Sequence, residues 1–220
     1  MAYLLSNSVF VHTPKTGGQW VTSALQRAGL VVGTLGAVHA DPAELHGHAA
    51  FRERAVKFTF VRHPLSWYPS MWAHRMDEVW GPIDDPDWFS AAWITRWAEF
   101  TRYCRADDFE SFVMQCTERF PRGFVSMLYE CYTQGCDFIG RQENLEADLL
   151  TVLERAGECF DPDLIRLTRE KNVRGGRPHR RSRSRYTQRL VERVMKAEQG
   201  AVERFQYHAI PAGLLDDAPA

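Results

Sequence analysis

The feature that leaves this chain least freedom is a change of hydrophobic period between Ser8 and Gly29. "SVFVHT" (Ser8 to Thr13) is a short β-branched and aromatic run that stops at Pro14, which predicts a buried strand ending in a turn. From Trp20 the apolar residues fall instead at Val21, Ala24, Leu25 and Ala28, one face of a helix, and Gly29 supplies its stop. Between strand and helix lies "PKTGGQW" (Pro14 to Trp20), where Gly17 and Gly18 let the backbone bend closely round a cluster of oxygens. The amides of Gly18, Gln19 and Trp20 are then expected to point from a helix N-terminus at an anion, which Lys15 reaches from the turn. That lysine precedes the glycines, the reverse of the G-x-x-x-x-G-K-[ST] order of nucleotide hydrolases. Taken alone, "KTGG" also fits an ordinary tight connection with an exposed lysine.

The same alternation recurs downstream. "VKFTFVRH" (Val56 to His63) and "CDFIGR" (Cys136 to Arg141) read as further strands. "FESFVMQCTERF", "NLEADLLTVLERAG" with its stop at Gly157, and the stretch from Thr187 to about Phe205 read as helices. Strands alternating with helices predict an α/β fold with a central parallel sheet covered on both faces, whose ligand lies beyond the carboxyl ends of the strands. We find no internal repeat. The 220 residues are expected to form a single domain with a helical, aromatic-rich insertion around 71–130.

Composition narrows the partners. A net charge of -1 argues against a protein that coats nucleic acid, so any anion site is local. Five cysteines without a C-x-x-C pair, an odd count, fit a reducing compartment, and no run approaches a membrane span. A cytoplasmic protein without a membrane span is the expectation, and with no acidic cluster or cysteine–histidine set near the loop, no metal is expected.

"FVRHPLSWYPSMW" places Arg62 at the end of a buried strand, where a lone charge is costly unless it meets an anion. Together, "PKTGGQW" and "FVRHPLSWYPS" resemble the two cofactor motifs of sulfotransferases that use 3′-phosphoadenosine 5′-phosphosulfate, PAPS. The resemblance implies a P-loop-NTPase-like three-layer sandwich, and it implies that the lysine-led loop (Lys15, Thr16, Gly17, Gly18, Gln19, Trp20) takes the 5′-phosphosulfate. It further implies that Arg62 and Ser70, with the family's spacing, take the 3′-phosphate that remains in the product adenosine 3′,5′-bisphosphate. "FIGRQENLEADL" and the stretch from Arg185 to Tyr207 look like later segments of carbohydrate-type and bacterial members. Two positions depart from the pattern: Gly18 and Gln19 stand where the family often has hydroxyls, and Pro69 predicts that the helix carrying Ser70 starts late or is kinked.

In related sulfotransferases a histidine or glutamate between the two motifs acts as general base. Here "VHADPAELHGH" offers His39, Glu44, His46 and His48, with His39 the closest match in position. Any of them could instead be a surface loop residue. Lys15 suits the charge that builds on the bridging oxygen. Trp20 matches a position that packs on adenine, though it suits a core equally. Trp67, Tyr68, Trp72, Trp80, Trp88, Trp93 and Trp97 are too many for one small core and suggest an acceptor pocket or lid for a small-molecule or glycan acceptor. Gln142 and Glu143 suit helix capping, and an arginine of the segment 174–185 matches a loop that closes over the 3′-phosphate. The alternatives to a PAPS-dependent sulfotransferase are a P-loop kinase of small metabolites and a non-catalytic nucleotide- or RNA-binding protein. The kinase is disfavoured because no lysine–serine or lysine–threonine pair follows the glycines to hold magnesium.

Overall fold

The computed structural model describes residues 1–40, 42–77, 91–168 and 184–215, excepting the side chains of residues 76–77 and 91–94. The chain divides into two compact units.

The first unit comprises Met1–Arg62, Asp85–Ala92 and Glu130–Arg174 and is built on one open sheet. Its strands are β1 (Ala2–Leu4), β2 (Ser8–Val11), β3 (Gly33–Leu35), β4 (Val56–Val61) and β5 (Phe138–Arg141), in the order β3-β1-β2-β4-β5. The expected parallel strands are present: β2 pairs β4 with Phe10 opposite Phe58, and β4 pairs β5 with Phe60 opposite Gly140. The sheet as a whole is nevertheless mixed, because β1 runs antiparallel to β2 and β3 antiparallel to β1. Both added strands are only three residues long, too short for alternation to announce them.

Helices α1 (Gly18–Arg27), α8 (Leu145–Arg155) and α9 (Pro162–Arg166) bury their apolar faces against the sheet. Trp20, Val21, Ala24 and Leu25 of α1 meet Phe10, Phe58 and Phe60 from the strands and Leu149, Val152 and Leu153 from α8. Both expected glycine stops are in place. Gly29 (φ 68) follows α1, with Leu30 N–H bonded back to the Leu25 carbonyl, and Gly157 (φ 67) follows α8, with Glu158 N–H on Leu153. A 3₁₀ turn, Gln142–Asn144, precedes α8, and neither helix start carries a side-chain cap. The capping expected of Gln142 and Glu143 falls instead to Asp148, which accepts from the Arg141 amide at 2.6 Å and the Asn144 amide group at 2.7 Å. Two short helices, α2 (Pro42–Leu45) and α3 (Ala49–Arg52), complete this unit.

The second unit comprises His63–Asp84, Trp93–Tyr129 and Gly175–Ala220. Its described part is helical: α4 (Pro64–Asp77), α5 (Ala91–Tyr103), α6 (Phe109–Arg119), α7 (Phe124–Tyr132), α10 (Gln188–Ala197) and α11 (Gln199–Arg204), of which α5 and α7 run across the unit's limits. Part of the aromatic set named from the sequence falls within the described residues. Trp67, Tyr68, Trp97, Phe100 and Phe124 are fully buried together, with Phe100 and Phe124 ring centroids 4.4 Å apart and Trp97 and Phe124 5.0 Å apart. Trp72 is buried too, against Phe109. Trp80, Trp88 and the side chain of Trp93 lie outside the described residues. Among the described residues, no helix is long and apolar enough to cross a membrane.

Candidate functional site

The turn after β2 is held by its own hydroxyls. Thr16 donates to the Thr13 carbonyl at 2.9 Å, and Thr59 donates to the Val11 carbonyl at 2.8 Å. With the Thr59 hydrogen so used, the 2.7 Å contact between the Thr13 and Thr59 hydroxyls has Thr13 as its donor. This chain ties the turn to the ends of two parallel strands, where a parallel sheet places its ligands. Lys15 takes a left-handed backbone, φ 65, and so does Gly17, φ 89. A β-carbon on Gly17 would lie 2.8 Å from a methyl of Leu145, so the turn also packs on the start of α8.

The amides of the first helical turn divide. Trp20 N–H bonds to the Gly17 carbonyl at 2.9 Å, which corrects the expectation that it points at an anion: the tight first turn consumes it. Among the described residues, the amides of Gly18 and Gln19 take no backbone partner. Trp20 itself is buried in the core, and its indole N–H donates to the Thr168 carbonyl at 3.1 Å. Arg62 comes to the same turn, with one guanidinium nitrogen donating to the Lys15 carbonyl at 3.4 Å.

His12 is the residue the sequence reading passed over. Alternation along β2 puts Ser8, Phe10 and His12 on one face, the face that α1 covers, and that alternation was the available signal. Its ring stacks beyond Phe10 and lies so close to the start of α1 that a β-carbon on Gly18 would fall 2.0 Å from its Cδ2. His39 joins it. The two rings meet edge to face with centroids 4.9 Å apart, and His39 Nδ1 lies 3.4 Å from the His12 carbonyl. A carbonyl only accepts, so in this contact Nδ1 is the donor. The Tyr132 hydroxyl donates to the His39 carbonyl and holds the residue from the other side.

Both imidazoles are neutral at neutral pH. Burial is the main cause, pulling His12 down to about 3, assisted by the positive charges of the Met1 amino group and Lys15. Burial likewise holds His39 well below 6.5, followed by His12, the Met1 amino group and Lys15, and opposed by the hydrogen bond to His12.

The other inter-motif candidates stand differently. Glu44, on α2, is exposed. His46 is exposed and sets its ring edge to face on Phe51 at 5.1 Å, while His48 is exposed at the start of α3. Ser70 lies in the second unit, partly buried on α4. That helix does not start late. It begins at Pro64, where His63 Nδ1 accepts the Leu65 amide at 3.1 Å and the His63 carbonyl accepts from Ser66 and Trp67, and it runs through Pro69. Arginines 174–183 lie outside the described residues, and Arg185 donates to the Leu215 carbonyl at 3.1 Å. Comparison of the chain with protein-family models, with curated proteins and with solved structures gives no match in any of the three.

Proposed function

We propose that this chain is a PAPS-dependent sulfotransferase of P-loop-like, three-layer fold, acting in the cytoplasm on a hydroxyl of a small-molecule or glycan acceptor. The observation that carries the reading is the turn Lys15–Gln19 at the end of β2, where a lysine in left-handed conformation and the amides of Gly18 and Gln19, which take no backbone partner among the described residues, lie beside the buried His12–His39 pair. These residues fit an anionic group: two amides and an ammonium supply donors and charge without an acidic neighbour in the turn.

PAPS, when bound, supplies an activated sulfuryl group. Lys15 and the amides of Gly18 and Gln19 would hold its phosphosulfate end, with the ammonium stabilising charge as it develops. Arg62 would hold the 3′-phosphate. His39 would take the proton of the acceptor hydroxyl. Glu44 remains the second candidate for that proton.

The reading is tested by thermal shift with adenosine 3′,5′-bisphosphate, ATP with magnesium, and an oligonucleotide, together with transfer of labelled sulfate from PAPS into pooled small molecules and glycans. The bisphosphate is expected to stabilise and chelation by EDTA to leave transfer intact. Stabilisation by ATP and magnesium alone favours the kinase; stabilisation by the oligonucleotide alone favours an RNA-binding protein.

A further inference from the structure

We infer that Thr59 is a positioning residue: its buried hydroxyl spans the gap that opens where β2 leaves β4, and through Thr13 it fixes the turn whose Gly18 and Gln19 amides would receive the anion. All of these residues belong to the first unit. Backbone pairing of β2 with β4 runs from Ser8 opposite Val56 to Phe10 opposite Phe58, whereas β4 stays paired with β5 as far as Val61 opposite Arg141. The next link between β2 and β4 is made by a side chain. The Thr59 hydroxyl donates to the Val11 carbonyl at 2.8 Å and accepts the Thr13 hydroxyl at 2.7 Å. Thr16 completes the chain from inside the turn, its hydroxyl donating to the Thr13 carbonyl at 2.9 Å, and all three threonines are fully buried.

Alternation along the strands brings the two hydroxyls together. Phe10, Phe58 and Phe60 join the core with α1, so Thr13 and Thr59 lie on the opposite face, side by side at the carboxyl ends of β2 and β4. A valine would fill the same space, so packing alone does not call for a hydroxyl at position 59. A hydroxyl that gives one bond and takes another sets the distance between two strand ends. That distance matters to the turn, because Lys15 holds a left-handed backbone, φ 65, which persists only where its surroundings hold it. The threonine chain holds the turn from the strands, Arg62 bonds the Lys15 carbonyl, and Gly17 packs on Leu145. The Gly17 carbonyl in turn accepts the amides of both Trp20 and Val21, so the placement of residue 17 decides where the Gly18 and Gln19 amides lie.

Only the ligand arm of the test rests on the sulfotransferase reading; the arm on the unliganded chain does not. Thr59→Val keeps the shape and removes the hydroxyl, while Thr59→Ser keeps the hydroxyl. In ¹H–¹⁵N spectra of the unliganded full chain, Thr59→Val is expected to shift the Gly18 and Gln19 amides and to speed hydrogen exchange at Trp20 and Val21, and Thr59→Ser returns them toward wild type. Thr13→Val cuts the same bond from the side of the turn and gives a second route to these shifts should Thr59→Val fail to fold. Titrated with adenosine 3′,5′-bisphosphate, Thr59→Val is expected to bind about tenfold more weakly, the worth of one buried hydrogen bond, and Thr59→Ser to bind as the wild type does. Urea unfolding of the same preparations separates loss of stability from loss of position. A folded Thr59→Val chain with unmoved Gly18 and Gln19 amides and undiminished affinity overturns the inference, as does a Thr59→Ser chain that restores neither. If the wild-type chain binds no bisphosphate while the amides move in Thr59→Val and return in Thr59→Ser, Thr59 keeps its hold on the turn and the sulfotransferase reading falls.

Discussion

Glu198 Oε2 accepts both the amide and the hydroxyl of Ser126, at 2.7 and 2.8 Å, with the whole glutamate sealed from solvent. Oε1 takes the Tyr68 hydroxyl at 2.7 Å and the Val125 amide at 3.0 Å. A glutamate from the break between α10 and α11 therefore caps the first turn of α7, and Gly123 (φ 79) makes room for it, since a β-carbon there would lie 2.2 Å from Oε2. Glu198→Gln puts an amide group against donors and is expected to cost about 1 to 3 kcal/mol; Glu198→Ala strands every donor and costs about 3 to 5 kcal/mol. Urea unfolding measures both. Equal stability of all three proteins would show that the network is incidental.

The pH dependence of that cost has a defined sign. Burial raises the Glu198 pKa above 4.5 despite the four donors. A raised acid contributes stability that is fully present below its unfolded pKa and is lost as pH rises through the folded one. The stability gap between wild type and Glu198→Gln is therefore expected to narrow from about pH 4.5 upward.

His12 has the opposite sign. Its pKa falls from 6.5 to about 3, so between those values the unfolded chain binds the extra proton and the fold loses stability as pH drops. His12→Phe removes the group and is expected to flatten that acid loss over the same interval. Parallel stability curves for the two proteins would show that His12 is not buried neutral in solution.

Local pattern reached some of these elements and missed others for identifiable reasons. The unit from Ser8 to Gly29 was legible because its period changes inside a few residues and because only glycine suits the left-handed stop at Gly29. Phe109–Arg119 and Leu145–Arg155 were legible as amphipathic stretches. For the helix after Arg62, Pro69 argues against an early start, whereas His63 supplies the first turn with an imidazole acceptor that no propensity describes. The burial of Trp67 and Trp97 depends on which helices meet, which composition leaves open. At the site, Lys15 and the glycines were readable from the turn. His12 lay one position beyond the strand's last ladder residue, and its pairing with His39 spans 27 residues.

Arg62 can be read in two ways that one experiment separates. As the 3′-phosphate ligand, its loss in Arg62→Ala weakens adenosine 3′,5′-bisphosphate by about 2 to 4 kcal/mol and adenosine 5′-monophosphate far less. As a brace for the turn through its bond to the Lys15 carbonyl, its loss weakens both nucleotides alike. Calorimetric titration of both ligands is expected to show the selective loss.

Lys15 combines two costs that substitutions can take apart. Its side chain brings a cation to the turn, and its backbone holds φ 65, a region where a residue with a β-carbon is strained by about 1 kcal/mol or more. Lys15→Ala removes the charge and keeps the strain, whereas Lys15→Gly removes both. Glycine also loses more chain entropy on folding, by about 0.5 to 1 kcal/mol, so Lys15→Gly is expected to match or modestly exceed Lys15→Ala in stability. Activity follows charge alone. Both variants are expected to lose turnover by more than they lose affinity for the bisphosphate, because the ammonium matters most as negative charge builds on the departing oxygen. Single-turnover transfer and ligand titration on the same preparations check this. Equal losses in affinity and turnover would make Lys15 an anchor of the bound anion, and a Lys15→Gly protein clearly less stable than Lys15→Ala would mean the left-handed turn is not the conformation the chain holds in solution.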